Sequence, residues 1–540
     1  MKNIKILDCT LRDGGRIINC AFPDMEIRQL AIGLADANID IIEVGFLRDW
    51  HNVKYEGNST FFTDVEQIIP FLDKTKKNMY VAFVDYGMFD FDSLKPYDGR
   101  SIDGIRVGFS KKDYDSQFIE IKKCLAEVKN KGYKLFVQGV NSLSYSDKEL
   151  LDLVDSVNEI HPDGFGIVDT YGAMYIDDVD RIYSLVDHNL NEDIAIDFHS
   201  HNNYQLSFAF AQEIIKLSHS KRQIIIDATL NGMGKCAGNL NTELIVDFLV
   251  RKMNYTYNLD AILDLIDNHI YNYQLEHKWG YSIPALMGGI YKSHPNNIIY
   301  LTEKFRLATK DIKYIISMMD SSKRTRYDYD YIKLMYNEYN HTKVDDKEVL
   351  NVLKQKLSKK KILLLLPGIS ILENIEKIKK KVIEENLIVI FVNFYEQYFE
   401  GAETWLFFGS EKRYTEFRET YSGKNVIVTS NVKNISNNDL VVNYDSCIDR
   451  EEEYSDNTML MLLKLLRRLD IIQFYIAGFD GYSNNKNYYD SSKFSEKRFV
   501  EKYDEINNQL TKLLKRYVCT LEDTHNIQFL TPSIYSHLFK

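Results

Sequence analysis

Short apolar runs bounded by turn residues recur through the first 230 residues of the chain, and longer amphipathic stretches separate them. Runs of the first kind are typical of buried strands, whereas stretches such as Asp24–Ala37 and Asp115–Lys131 carry apolar residues on one helical face and predict helices. The pattern therefore predicts strands that alternate with helices. The eight predicted strands are Ile4–Cys9, Ile39–Phe46, Met79–Asp85, Gly104–Phe109, Lys134–Val140, Gly164–Asp169, Ile194–His199 and Gln223–Ala228.

Eight strand–helix units of this kind predict an α/β fold with a closed (β/α)8 TIM barrel, whose functional residues stand at the carboxyl ends of the strands. In a closed barrel the seventh, eighth and first strands are consecutive. Asp13 follows the first predicted strand, His199 and His201 lie at the end of the seventh, and Asn239 lies in the glycine-rich loop after the eighth. Alternate residues of a strand point to one face, so the two imidazoles can meet. The strand order thus predicts a divalent-metal site built from these side chains.

The second half of the chain predicts a smaller α/β unit. Residues 301–358 are polar and rich in Lys, Asp and Tyr, and we interpret them as a helical linker that follows a barrel of residues 1–300. Residues 359–540 predict a doubly wound, Rossmann-like open sheet. Its predicted strands are Lys361–Leu366, Leu387–Asn393, Asn425–Ser430, Leu440–Asn443 and Ile471–Ile476, with helices at Ile371–Lys381 and Thr458–Leu469.

Composition narrows the classes of function. At 540 residues the chain is long enough for more than one folding unit. A formal net charge of −11 at pH 7 argues against a nucleic-acid or anionic-membrane binder, and no apolar run is long enough to span a bilayer. The six cysteines lack paired spacing, so we expect reduced thiols and a cytoplasmic protein.

Five motifs in the predicted barrel resemble those of one enzyme superfamily. Their order, at the spacing of barrel units, is similar to that of the DRE-TIM metallolyases, which include hydroxymethylglutaryl-CoA lyase, 4-hydroxy-2-oxovalerate aldolase and the isopropylmalate and homocitrate synthases. The resemblance covers about residues 3–300 and is closest in type to the aldolase. The motifs are Asp8-Cys-Thr-Leu-Arg-Asp-Gly14, Ile42-Glu-Val-Gly45, Asp169-Thr-Tyr-Gly172, His199-Ser-His-Asn202 and Asn231-Gly-Met-Gly-Lys-Cys-Ala-Gly-Asn239.

The resemblance implies a metal-dependent enzyme that forms or consumes an enolate. In that family the Asp of the Arg-Asp pair and both histidines hold a divalent cation together with an Asn of the last loop, which here implies Asp13, His199, His201 and Asn239. Mn²⁺ or Mg²⁺ is the first expectation, with Zn²⁺ or Co²⁺ as alternatives. Arg12 would stabilise the enolate oxygen and Glu43 would orient Arg12, whereas a plain Arg12–Glu43 ion pair is the alternative.

Two departures from the family bear on the chemistry. Where the aldolases carry a proton-transferring histidine, this chain has Arg16, which cannot act as a base at neutral pH and becomes a candidate for substrate binding. Where the synthases carry Gly-Glu-Arg, it has Gly234-Lys235-Cys236, so Cys236 is either a catalytic thiol or a small loop residue. Five further residues lie near the ends of predicted strands, and we expect them to line the pocket. They are Gln138, Asp169, Thr170, Arg106 and Asn141.

We therefore expect an aldolase-type lyase that cleaves or forms a 2-oxo acid through the pyruvate enolate, with an aldehyde as the second substrate. A Claisen-type acyl-CoA synthase or lyase is the alternative. A third hypothesis makes the barrel a scaffold and the C-terminal domain a binder of nucleotides or nucleotide sugars, because Leu366–Ser370 has the shape of an anion-binding turn and Ala477–Tyr488 is a polar, aromatic loop. That domain faintly resembles Rossmann-like domains of sialyltransferase-type and surface-polysaccharide enzymes. The alternative to a ligand-binding role is that the C-terminal unit is a docking domain with an ordinary loop. A homo-oligomer is compatible with every one of these hypotheses.

Overall fold

The structure is a computed structural model of the chain, which divides into two compact units, Met1–Tyr329 and Asp330–Lys540. The division falls inside the stretch that the sequence predicts as a helical linker. No helix among the described residues combines the length and the apolar character needed to cross a membrane. The described residues are 3–49, 51, 53–218, 221–303, 307, 309–340, 344–358, 360–399, 401–417, 425–449, 452, 454–484, 487–490, 503–521 and 526–539.

Eight parallel strands close into a barrel in the first unit. Consecutive strands pair along the chain, and the first strand pairs with both the second and the eighth, which closes the ring. The predicted (β/α)8 barrel is confirmed, and every strand end lies within two residues of its predicted position. The strands are β1 (Asn3–Asp8), β2 (Ile41–Leu47), β3 (Met79–Asp85), β4 (Gly104–Ser110), β5 (Lys134–Val140), β6 (Gly164–Asp169), β7 (Ala195–Ser200) and β8 (Gln223–Ala228).

Amphipathic helices connect most of these strands and bury their apolar faces against the barrel. The crossovers after β2 and β3 differ, because the described residues there form 3-10 turns, Val65–Phe71 and Phe91–Ser93. Pro70 lies within the first turn and cannot donate a helical hydrogen bond. The helices of this unit are α1 (Asp24–Asp36), α2 (Lys111–Asn130), α3 (Asp147–Ile160), α4 (Ile176–Asn189), α5 (Ser207–Leu217), α6 (Thr242–Met253), α7 (Leu259–Leu265), α8 (Tyr271–Glu276), α9 (Ile283–Ile290), α10 (Pro295–Glu303), α11 (Thr309–Met318) and α12 (Ser321–Arg324).

A bulge in β2 explains one motif glycine. The register of β2 against β3 shifts between Glu43 and Phe46, and Gly45 lies there at a φ of +151°. A Cβ at Gly45 would come within 2.3 Å of the Thr60 carbonyl oxygen, which accepts the Phe46 N–H at 2.8 Å. Only glycine tolerates both the angle and the close backbone, so this position fixes the path of the strand that carries Glu43.

The second unit is an open sheet of seven parallel strands, which confirms the predicted smaller α/β domain. Along β9 alternate residues join two different apolar clusters, so both faces of the sheet are covered. The strands are β9 (Ile362–Leu365), β10 (Ile388–Val392), β11 (Thr404–Phe408), β12 (Asn425–Thr429), β13 (Leu440–Val442), β14 (Phe474–Ala477) and β15 (Ile527–Phe529), and their order is β13-β12-β11-β10-β9-β14-β15. The helices are α13 (Tyr329–Asn340), α14 (Lys347–Leu357), α15 (Ser370–Glu384), α16 (Glu411–Phe417), α17 (Thr458–Arg468) and α18 (Tyr503–Val518).

Two strands of this sheet, β11 and β15, were not predicted from the apolar pattern of the sequence. The signal for β11 is the apolar run Trp405–Phe408, which ends at Gly409 and is fully buried. β15 has only three residues and a mixed burial pattern, so no periodicity could identify it.

Candidate metal centre at the barrel mouth

The ends of β1 and β7 bring three of the predicted ligands together. The Nε2 atoms of His199 and His201 lie 3.9 Å and 3.8 Å from Asp13 Oδ2. Two donors that are each about 2.1 Å from one ion lie at most about 4.2 Å apart, so these separations suit a common metal. Burial alone would raise the pKa of Asp13, but Arg12, the two histidines and Arg16 outweigh burial and hold that pKa well below its usual range. Asp13 is therefore ionised, which is the state that a metal ligand requires.

Asp227 fixes the orientation of His199, and the sequence analysis had not assigned it a role. Asp227 Oδ2 lies 3.0 Å from His199 Nδ1, and an ionised Asp227 can only accept, so in that state Nδ1 donates its proton to the carboxylate. The Nε2 lone pair then faces Asp13, which is the tautomer that a metal ligand requires. A signal was present in the sequence, because Asp227 is a carboxylate inside the apolar strand β8.

Asn239 reaches the same point with its amide. Its Nδ2 donates to the Met233 carbonyl at 3.0 Å and to Asp13 Oδ2 at 3.1 Å. The carbonyl contact fixes which atom is the nitrogen, and Asn239 Oδ1 is buried with no hydrogen-bond partner among the described residues. A buried amide oxygen without a partner costs free energy, and a cation beside it would remove that cost.

The loop after β8 holds Asn239 beside His201. The two residues form an isolated antiparallel bridge, and Asn202 N–H donates to the Gly238 carbonyl at 2.8 Å. Gly238 has a φ of +76°, and a Cβ there would lie 2.0 Å from the Gly232 carbonyl oxygen. The glycines of this motif therefore allow a tight loop that presents the Asn side chain to the metal ligands.

The charge balance also fits a divalent cation. Four buried carboxylates surround two buried guanidinium groups at and below the ligands. Burial raises the pKa of Asp197 to about 7 and raises that of Asp227, so the cluster without metal relieves its negative charge by taking up protons. The set consists of Asp13, Glu43, Asp197 and Asp227 against Arg12 and Arg106. The residues present therefore fit a divalent ion in donor chemistry and in charge.

The two imidazoles predict how metal binding depends on pH. Burial lowers the pKa of His199 and of His201 to about 4, whereas a free imidazole titrates at about 6.5. We expect protonation of the two imidazoles to weaken Mn²⁺ binding only below about pH 4, by up to about 100-fold per pH unit when two protons compete. Calorimetric titration across this range measures the effect, and a loss that begins near pH 6.5 would contradict it.

The same shift affects the stability of the fold. Because the folded-state pKa of each histidine lies below its unfolded value, the neutral imidazoles contribute stability above about pH 6.5. That contribution is lost as the pH falls from about 6.5 through about 4.

Arg12 makes both of the interactions that the sequence analysis weighed. Its Nε donates to Glu43 Oε2 at 2.5 Å, and its Nη1 donates to Asp13 Oδ1 at 2.7 Å. Its guanidinium also lies over the Phe83 ring, 4.6 Å from the centroid. The ion pair with Glu43 therefore holds Arg12 beside the metal ligands and does not turn it away from them.

Arg106 forms the floor of the site. Its Nη1 donates to Glu43 at 3.0 Å, and its Nη2 donates to Asp197 and Asp227, each at 2.6 Å. Gln138 Nε2 donates to the same Asp197 oxygen at 2.7 Å. These contacts place Arg106 and Gln138 in a buried polar network under the ligands, where Arg106 is only 1% exposed. The network connects Arg12 to His199 through alternating charges.

Asp169 and Thr170 hold the loop after β6. Asp169 is buried, and its carboxylate accepts the backbone N–H groups of Ala173 and Met174 at 2.9 Å and 3.2 Å. Burial raises the pKa of Asp169 to about 7. Thr170 Oγ1 accepts the Asn141 N–H at 2.8 Å. Asp169 thus holds the backbone of its own loop, and Thr170 joins that loop to the one after β5.

Cys236 lies in an environment that disfavours its thiolate. Burial raises the pKa of Cys236 to about 12, and the neighbouring Lys235 only partly opposes this shift. The residue has a φ of +56° within the tight loop after β8. Nothing in this environment activates the thiol as a nucleophile.

Comparison with known proteins relates the barrel to lyases and aldolases. Residues 100–268 match the family model described as HMGL-like. The chain is 24% identical over 322 residues to the 4-hydroxy-2-oxovalerate aldolase of Moorella thermoacetica, covering 58% of this chain and 90% of that protein. It is 23% identical over 260 residues to the oxaloacetate decarboxylase of Mycobacterium tuberculosis, covering 48% of this chain and 74% of that protein.

Among solved structures, the N-terminal domain of a candidate aldolase from Bacteroides vulgatus matches with 22% identity and a TM-score of 0.47. The match covers 56% of this chain and 98% of that domain. The family model and the aldolase relatives agree with the motifs at the strand ends and with the ligands that the barrel brings together. Residues 100–268 of the barrel therefore carry an HMGL-like domain, and the chain is an enzyme of the lyase and aldolase type.

Proposed function

We propose that the barrel cleaves or forms the carbon–carbon bond between C3 and C4 of a 2-oxo acid through the enolate of pyruvate. The observation that carries this proposal is the pairing of Arg12 with Asp13 beside two neutral imidazoles. A permanently charged guanidinium next to a metal-ligand set is suited to an oxygen on which negative charge develops.

The names of the two relatives support the same chemistry. Cleavage of a 4-hydroxy-2-oxo acid and decarboxylation of oxaloacetate both break the bond between C3 and C4, and both leave pyruvate. A shared enolate requires one arrangement of groups around the 2-oxo acid, whereas the group that leaves can differ. We therefore assign an aldehyde as the second product, as in the aldolase relatives.

The residues of the site have distinct roles in the proposed reaction. A divalent cation, with Mn²⁺ or Mg²⁺ as our first choice and Zn²⁺ or Co²⁺ as alternatives, supplies Lewis-acid polarisation when it is held by Asp13, His199, His201 and Asn239. Arg12 donates to the enolate oxygen, and Glu43 keeps the guanidinium in position. The buried network under the ligands fixes these groups before substrate binds, so little reorganisation accompanies the reaction.

Deuterium exchange tests this proposal. We expect the enzyme with Mn²⁺ or Mg²⁺ to exchange the methyl protons of pyruvate for deuterium in D₂O, as measured by NMR, and we expect EDTA to stop the exchange. The reason is that removal of a methyl proton produces the same enolate as cleavage of the bond. Metal-loaded enzyme that exchanges nothing would contradict the proposal.

An acyl-CoA reaction is the alternative that such a result would favour. It predicts release of free thiol when the enzyme is incubated with an acyl-CoA and a 2-oxo acid. The raised pKa of Cys236 does not support a thiol-dependent version of this reaction.

A binding function of the C-terminal sheet is a second candidate, with the barrel as a scaffold in its extreme form. The observation in its favour is that the strand order reverses between β9 and β14, which is where open α/β sheets bind ligands. The turn before α15 is a poor phosphate site, because Asp480 already accepts the Ser370 N–H there at 2.8 Å. Residues 485 and 486 of the predicted loop lie outside the described residues. Thermal-shift measurements of the full chain with CMP-, UDP- and GDP-linked ligands test this candidate.

A further inference from the structure

The mouth of the barrel carries three cationic side chains that lie outside the proposed set of metal ligands. We call Arg16, Arg48 and Lys235 the mouth cluster. Arg16 follows β1, Arg48 follows β2, and Lys235 lies in the loop after β8. These three strands are neighbours in the closed ring, so their carboxyl ends open on the same side of the site.

Arg16 and Arg48 share one carboxylate. Asp85, at the end of β3, accepts from Arg48 Nη2 at 2.8 Å and from Arg16 Nη2 at 3.3 Å. Both guanidinium groups also lie over the buried ring of Phe46, at 4.5 Å for Arg16 and 4.4 Å for Arg48. Arg48 Nη1 is buried and has no hydrogen-bond partner among the described residues. A buried donor without a partner costs free energy that an anionic ligand would offset.

Lys235 adds a cation without a carboxylate of its own. No acidic side chain among the described residues lies within ion-pair distance of it, and its Nζ donates to Asn296 Oδ1 at 3.4 Å. Burial and the positive charge of Arg16 lower the pKa of Lys235. Arg16 also pairs with Asp13 at 3.3 Å, but Asp13 is already committed to Arg12. Cationic charge therefore exceeds anionic charge at the mouth.

We propose that the mouth cluster binds a second anionic group of the substrate, a carboxylate or a phosphate on the fragment that leaves as the aldehyde. The inference rests on the proposed function, because it concerns the part of the 2-oxo acid beyond C3. A neutral fragment would leave Nη1 of Arg48 and the ammonium group of Lys235 without a charged acceptor, whereas an anionic group satisfies both.

Binding measurements with matched ligands test this inference on the full chain loaded with Mn²⁺. 2-Oxovalerate and 2-oxoglutarate have the same carbon chain and differ by a terminal methyl or carboxylate, and 2-oxo-4-phosphonobutyrate supplies the phosphate-like arm. We expect calorimetry to give a Kd at least about 10-fold lower for one of the anionic ligands than for 2-oxovalerate. Tighter binding of 2-oxoglutarate would identify the anionic group as a carboxylate, and tighter binding of the phosphonate would identify it as a phosphate.

Variants at Lys235 make the test specific. We expect Lys235→Met to reduce the preference to within about 2-fold, and Lys235→Arg to keep most of it, because the charge is retained. Lys252→Met is the matched control, since Lys252 is an exposed lysine at the far end of α6. It should give the wild-type ratio of the two Kd values.

Two results would overturn the inference. One is equal binding of 2-oxovalerate and both anionic ligands by the wild type, which would mean that the cluster contacts only the C1 carboxylate. The other is a preference that survives Lys235→Met unchanged. Neither measurement requires turnover, so a failure of the pyruvate exchange would count against the proposed function without deciding this point.

Discussion

Asp13→Asn is expected to abolish the exchange of deuterium into pyruvate and to weaken Mn²⁺ binding by at least about 100-fold. Asparagine keeps the size of the side chain but removes the charge that faces both imidazoles and Arg12. Without that charge the site loses its anionic ligand, and Arg12 keeps Glu43 as its remaining carboxylate partner. NMR measures the exchange, and calorimetry measures the affinity for the metal.

Asp98→Asn provides the matched control for this variant. Asp98 is an exposed carboxylate that pairs with Arg100 on a surface turn, so its replacement changes the net charge equally but leaves the site intact. We expect it to keep wild-type exchange and wild-type metal affinity. If Asp13→Asn retained EDTA-sensitive exchange at the wild-type rate, the metal would have to bind elsewhere.

Arg106→Met is expected to lower the free energy of unfolding of the barrel by about 3–5 kcal/mol. Methionine fills a similar volume, but its introduction leaves Glu43, Asp197 and Asp227 buried together without the cation that contacts all three. The destabilisation should be larger at pH 8.5 than at pH 6, because protonation of the carboxylates relieves their repulsion and burial already raises the pKa of Asp197 to about 7. Urea unfolding at the two pH values measures both effects.

Arg100→Met is the control for the arginine variant. The Arg100 side chain is 66% exposed, and its ion pair with Asp98 lies at the surface. Exposed pairs contribute little, so we expect a change of at most about 0.5 kcal/mol. An equally small effect of Arg106→Met would show that the carboxylates under the ligands are neutral in the folded protein.

The proximity of the proposed metal ligands could be predicted from the sequence because each follows the end of a strand in a closed ring. Asp13, His199 and His201 needed only the order of the strands and the period of two along β7 to be placed together. The Asn239 motif added the last loop, whose glycines permit its tight turn. The positions of these four residues therefore follow from the local apolar pattern and from the order of the strands alone.

The partners of those ligands could not be predicted in the same way. Asp227 orients His199 and Arg106 joins three carboxylates, and each of these contacts joins strands that are far apart in the sequence. Strand order identifies neighbouring strands, but it does not tell which inward side chains meet across the interior of a barrel. For this reason the sequence analysis interpreted Arg106 as a residue of the pocket wall.

The sequence by itself determined the barrel, the open sheet that follows it and the donor types of the metal site, since apolar periodicity and motif spacing are local properties of the chain. Tertiary structure alone decided the protonation and the charge balance of the site. Burial raises the pKa of the Cys236 thiol, keeps both imidazoles neutral and leaves the mouth cluster with excess positive charge. Such properties depend on how many charges share a region from which water is excluded, and only the folded chain defines that region.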